Sequence, residues 1–288
     1  MSQGFQSQLG IDTVSPVTRG YEFENCQITK AGTIIDSSGI RGGRSHHSER
    51  TRQGNDSIAG VIELYPSPAD LSHLLPLVLG GTPSGTTYPL ADGLAAFYVT
   101  VDKVAGVYTY AGCKVDKATF SGVQGQAMKL SLEIAGQTET PAAAGSFPAV
   151  TLDNSAPLVF SDSTLTLLGI SREVKQWTVT IDNSLEVRFA NSTSATAIMP
   201  KDRQVSLQCQ NPFTSAEIDL YGQALAGSSA ALVLAGAGSS LAFNFATLQF
   251  PDRGPVVPGR EEITLTLSGI ARKVGSTDEL SVVLTLGS

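Results

Sequence analysis

Apolar and polar residues alternate along much of the chain. In Met128-Lys-Leu-Ser-Leu-Glu-Ile134, Met128, Leu130, Leu132 and Ile134 fall on one side, and Lys129, Ser131 and Glu133 on the other. A period of two sustained this long marks a half-buried strand. Phe97–Val101, Trp177–Ile181, Leu185–Phe189, Ile263–Leu267 and Val282–Leu286 repeat the pattern. It predicts antiparallel sheets with one apolar and one polar face, as in sandwiches and barrels.

Two segments break this period and predict helices. After the strand Ile62–Tyr65, Ser67 can cap a helix whose first position is Pro68, with Asp70 placed for a capping box. Leu71, Leu74, Leu75 and Val78 follow at helical spacing, Gly80-Gly81 ends the run, and Pro76 should kink or shorten it. After the strand Val205–Cys209, Thr214-Ser-Ala-Glu217 forms a second capping box. Ile218, Tyr221 and Leu225 supply the stripe, and Gly227 the stop. Caps and stops are each 147 positions apart, 67 to 214 and 80 to 227.

That interval points to an internal duplication. In each half a long polar segment, Asp36–Asp56 or Asn191–Arg203, lies between a strand and the strand that enters the helix. Downstream, Ala118–Phe120 and Leu130–Ile134 in the first half correspond to Ala246–Leu248 and Leu265–Ser268 in the second. Thr138–Pro157 is rich in Ala, Pro, Ser and Thr and reads as a linker. The expected organisation is an N-terminal arm over 1–20, a first domain over 21–140, a linker over 141–157 and a second domain over 158–288.

Composition narrows the function. Charged residues make up 16% and hydrophobic residues 41% of the 288 positions, which excludes a long coiled coil and a disordered chain. The net charge of −7 opposes stable binding to nucleic acid. The acidity is even, with 10 basic and 14 acidic residues up to Asn154 and 9 and 12 after it. Cys26, Cys113 and Cys209 lack both a disulfide framework and CxxC spacing, and read as small core hydrophobes in a reducing cytoplasm. The polar first twenty residues predict no signal peptide, and no apolar run reaches the length of a membrane helix.

No catalytic constellation emerges, and neither an enzyme nor a cofactor or metal is expected. The three histidines, His46, His47 and His73, have no serine elbow to serve. Gly80–Gly85 follows a helix, whereas a phosphate loop precedes one. The stretch Ser37–Asn55 does stand out. Arg41, Arg44, Arg50 and Arg52 face only Glu49 within it, and it reads as a long structureless loop. Such loops are functional or order on binding. An arm that docks on acidic groups of a neighbouring copy is the expected role.

Gly4–Pro16, Asp36–Gly42, Pro68–Pro76 with Gly80-Gly81, Phe97–Asp102 and Tyr110–Val115 together resemble the major tail proteins of long-tailed bacteriophages. The resemblance implies a mainly β fold of two tandem β-sandwich domains, each flanked by one short α-helix. It implies six such domains per ring, a continuous inner β-barrel and rings stacked into a virion tail tube that conducts DNA. Asp36–Asp56, with Arg41, Arg44, Arg50 and Arg52, would be the inter-ring loop. Asn191–Arg203, with Lys201 and Arg203, would be its less basic counterpart. Two domains per chain imply a homotrimeric ring with pseudo-sixfold symmetry, a hexamer being the alternative. Tape measure, tail terminator and tail-tip proteins are the implied partners, DNA passes without specific binding, and assembly takes place in the host cytoplasm. An acidic lumen is expected to repel phosphates. The competing readings are a β-sandwich binding module of a baseplate or virion surface, and a secretion-system tube subunit.

Overall fold

The structure is a computed structural model that describes residues 3–36, 39, 42–215, 218, 227–236, 238–251, 255, 257 and 262–287. The first half contains β1 (Gln8–Asp12), β2 (Asn25–Cys26), β3 (Thr29–Asp36), β4 (Thr51–Leu64), α1 (Pro68–Leu79), β5 (Thr87–Tyr88), β6 (Phe97–Asp102), β7 (Val107–Val123), β8 (Lys129–Gly136) and β9 (Thr138–Ala142). The second contains β10 (Ser163–Leu167), β11 (Ile170–Arg172), β12 (Gln176–Asp182), β13 (Glu186–Arg188), β14 (Ala197–Met199), β15 (Gln204–Pro212), β16 (Ser228–Gly236), β17 (Ser239–Gln249), β18 (Thr264–Arg272) and β19 (Leu280–Thr285). The protein is mainly β, and every ladder between these strands is antiparallel.

The alternating segments form strands as expected, with two differences. Leu185–Phe189 yields only the short β13, which pairs with β14 in a separate two-stranded sheet. The polar stretch read as a loop is strand at its two ends. β3 runs to Asp36 and β4 starts at Thr51, so Thr51–Asp56 belongs to a long hairpin. Polar side chains tolerate a strand here because β3 is exposed along its whole length and only Gly54, Asp56 and Ile58 of this stretch of β4 turn inward. The first five residues of the linker, Thr138–Ala142, form β9 and pair with β7.

α1 has the predicted caps. Ser67 and Asp70 exchange hydrogen bonds of 3.0 and 3.1 Å, and Gly80 closes the helix in the left-handed region at φ +78°. Pro76 does not shorten it. It lies in the last turn, so it costs one hydrogen bond near the helix end and interrupts no further turn, and Gly80 N–H donates to its carbonyl. Gly227, the predicted stop of the second helix, also has positive φ, +79°. Most of that helix, including Glu217, Tyr221 and Leu225, lies outside the described residues.

The two halves repeat one another pairing by pairing. β1–β6, β3–β4, β4–β8, β6–β7, β7–β8 and β7–β9 of the first half recur as β10–β16, β12–β15, β15–β18, β16–β17, β17–β18 and β17–β19 of the second. Buried Leu9 and Ile11 match buried Leu165 and Leu167 in this scheme. Within the first half β7 serves two sheets. Its start pairs with β6 and β9, and its end with β8. Gly112, at φ +66°, stands at the passage, where a Cβ would lie 2.2 Å from the Gln137 side chain. One apolar core runs through both halves, and the rings of Phe120 (β7) and Phe243 (β17) meet at 5.1 Å.

Candidate functional site

Three surface features could serve assembly: a seam, an open edge and an arm. The seam is where the halves join. β12 pairs along its whole length with the end of β7, Gln176 opposite Val123 through Asp182 opposite Lys117, while its other side pairs with β15. Trp177, Val179 and Ile181 are fully buried by this double pairing. Each contributes roughly 1.5–3 kcal/mol of transfer free energy. Trp177 lies directly across Gly122, where a Cβ would come within 2.4 Å of the indole. Only glycine leaves room for the ring. Asn183 locks the end of the seam, its side-chain amide donating to the carbonyls of Val78 (3.2 Å) and Val115 (3.1 Å).

The open edge is β3. By register and by the parity of buried positions, Ala31 opposite Ser57 corresponds to Asp182 opposite Gln204, so the start of β3 is the first-half equivalent of the end of β12. β3 pairs with β4 on one side, and none of the described strands covers the other. All of its residues are exposed, including Ile34 at 77% and Ile35 at 60%.

The arm is the β3–β4 hairpin itself. Asp56 is buried at its base, bonded by Lys30 at 2.9 Å and by Gln53 at 3.0 Å. The Lys30 ammonium, then the Gln53 amide, hold this carboxyl below the usual range. Arg44, Arg50 and Arg52 lie in the outer part of the arm, and Arg41 lies outside the described residues. His46 approaches Asp36 at 3.0 Å, and Glu49 approaches His47 at 4.0 Å.

The second-half loop is built differently. Between β12 and β15 it folds back as β13–β14, and the Asp56 N–H donates to its Thr193 carbonyl at 2.7 Å. Lys201 pairs with Glu186 at 2.9 Å. Arg203 pairs with Glu279 at 2.9 Å and donates to the Ala91 carbonyl, tying the second half to the first. Lys201 and Arg203 are thus engaged inside the chain, whereas the first-half arginines sit on a projecting hairpin.

The seam brings one continuous polar face across both halves. Ser131, Thr119, Thr180 and Ser206 form one cross-strand row, and Ser121, Thr178, Gln208 and Ser268 the next. Carboxylates bordering these rows are ion-paired, Glu133 with Lys117 at 3.7 Å and Glu63 with Lys129 at 3.2 Å. Sequence reasoning had singled out neither Trp177 with Gly122 nor β3. The only signal for the first was the chain's single tryptophan in a strand repeat.

Burial lowers the His73 pKa, and burial pushes the Cys113 and Cys209 thiols up to about 12. Among the described residues no group of three or more His, Cys, Asp or Glu side chains could hold a metal, and no helix is long and apolar enough to cross a membrane. Comparison with individual curated proteins finds no match. A family model described as phage tail tube protein matches residues 4–271, across both halves and the segment between them. The chain therefore belongs to the phage tail tube protein family and is a structural component of the virion tail.

Proposed function

We propose that the chain polymerises by repeating its internal seam between copies. The observation that carries this is the pair of equivalent strands, β12 covered by β7 and β3 uncovered. In a ring, β3 of one chain would pair with the second half of its neighbour, as β12 of the second half pairs with β7 of the first. The units are a first domain over 21–140 and a second over 158–288, linked by 141–157 and preceded by an arm over 1–20. A heterologous contact that closes gives a ring, and three chains of two units complete a pseudo-sixfold one. An open edge is an association hazard, and closing the barrel abolishes it.

In this reading the arginine-bearing arm joins successive rings, and stacking gives the hollow tube through which DNA is delivered. Tape measure, terminator and tail-tip proteins set its length and ends, and the host cytoplasm is where it assembles. The polar face lines the channel. Its rows of hydroxyls and amides are bordered by Lys117 and Lys129, which carboxylates already engage, and by Asp182, so they give phosphates no free cation to bind.

Cryo-electron microscopy of tubes grown on isolated tail-tip complexes tests the reading. Three chains per ring, each showing two like lobes and a β3 strand paired across the subunit boundary, is the expected result. Six chains per ring, or a boundary that leaves β3 uncovered, would reject it.

A further inference from the structure

The arm has a complementary surface on the same molecule, at the far end of the ribbon that carries it. A groove of about 1010 Å³ opens between the start of the chain, residues 21–26 and residues 147–152. Phe5, Phe23, Phe147, Val150 and Leu152 line it, with Phe5 82% and Leu152 52% exposed. Glu22 stands exposed among its lining residues, and no described cation pairs with it, whereas neighbouring Glu24 is held by Lys129 at 2.7 Å. Single exposed apolar side chains are ordinary, but an apolar concavity with an unpaired carboxylate marks a contact surface.

We propose that this groove receives the β3–β4 arm of a copy in the adjoining ring. The inference rests on the tube reading and names the receptor of its inter-ring arm. Charge and shape agree. The arm offers Ile34 and Ile35 with Arg52 directly across from Ile35 and Arg44 further along the chain, and the groove offers aromatic and aliphatic walls with Glu22. The placement fits stacking. β2 begins beside the groove at Asn25 and β3 ends near the arm's tip at Asp36. At about 3.3 Å per residue that is roughly 36 Å of ribbon, so no arm can reach its own groove. Translation along the ribbon brings the arm of one copy to the groove of the next. The two surfaces differ, so the contact is head-to-tail and does not close, which is the condition for a filament. Ile34 and Ile35 leave opposite faces of the strand, so the groove takes one of them while the arginines bracket Glu22.

Cysteine pairing tests the contact. In a Cys26→Ser background, Leu152→Cys is combined with Ile35→Cys, and in parallel with Ile34→Cys. Tubes are grown on tail-tip complexes, oxidised and run on a non-reducing gel. One combination should give a ladder of many linked chains, and the single-cysteine variants no ladder. A second arm of the experiment exchanges charge. Glu22→Arg should lower tube yield about tenfold, and adding Arg44→Glu with Arg52→Glu should restore it. If the cysteine pairs block growth, the charge exchange decides, rescue supporting the contact and its absence overturning it. Tubes that form yet give no ladder with either pair overturn the receptor and leave the tube reading intact. If the unmodified chain forms no tubes on tail-tip complexes, the tube reading fails and the receptor with it.

Discussion

β3 and β12 hold the same place in the two halves, follow the same register against the next strand, and have opposite fates. β12 is flanked by β15 and β7, buries Trp177, Val179 and Ile181, and has the alternating burial of a central strand. β3 has one neighbour and is exposed at every position. The covalent linkage between halves explains the difference. A neighbour delivered by the same chain is always present, so β12 could acquire a large aromatic and a facing glycine. On the proposed reading, the neighbour of β3 is delivered by another copy and is present only after assembly, so in the single chain β3 keeps a free row of backbone groups. In the proposed ring, the closed seam is the template for the open one.

The largest way to break this comparison is to open the closed seam. Trp177→Ala should cost roughly 3–5 kcal/mol, the range for losing a large buried aromatic. Gly122→Val should cost roughly 1–3 kcal/mol, because its Cβ would overlap the indole and force the ring out. Urea unfolding of the unassembled chain measures both. A loss below about 1 kcal/mol for Trp177→Ala would mean that the seam does not hold the halves together.

Closing the open edge should affect assembly more than stability, beyond the cost of losing the Lys30–Asp56 ion pair that both Lys30 variants share. Gln27 N–H donates to Val61 O, so the N–H groups of Thr29 and Ala31 point to β4 and that of Lys30 points away. Lys30→Pro deletes an outward donor at an edge that tolerates proline. It should cut tube formation about tenfold or more, whereas Lys30→Ala, which removes the same ion pair, should not. Hydrogen exchange sharpens the contrast. β3 amides should exchange fast in the free chain and slowly in tubes, while β12 amides stay protected in both. Fast exchange of β3 in assembled tubes would remove it from the ring boundary.

The closed strand was legible in the sequence and the open one was not, for a physical reason. Alternation records burial, and Trp177–Ile181 alternates because one face of β12 is permanently in the core. Thr51–Asp56 carries no such record, since only Gly54 and Asp56 of it turn inward and neither is apolar, and it reads as part of the polar segment Asp36–Asp56; the strand before that segment is expected from element order alone. α1 was visible through its caps, and the duplication through the matching stops at Gly80 and Gly227. Strand pairing across the linker left no local trace, and Gly122 is silent in any hydrophobic period. The arginines were found from composition, but the groove facing them is assembled from three distant segments and has no sequence pattern.

Acid should loosen the open edge while sparing the closed one, a smaller effect than the others. Lys30 and Gln53 hold the Asp56 carboxyl below its ordinary value. A depressed carboxyl contributes stability that is fully present above the unfolded value, about 4, and is lost as pH falls through the lower folded one. The equivalent positions on the closed edge are Arg203 and Ile181, so no carboxylate stands there to titrate. In an NMR titration the Asp56 amide, which donates to Thr193, should shift with a midpoint below 4, and the Gln204 amide should not follow it. Asp56→Asn should abolish the shift and leave β12 unchanged. A Gln204 amide that moved together with Asp56 would show that the two edges are coupled through the core, and the base of the arm could not then be treated as an independent element.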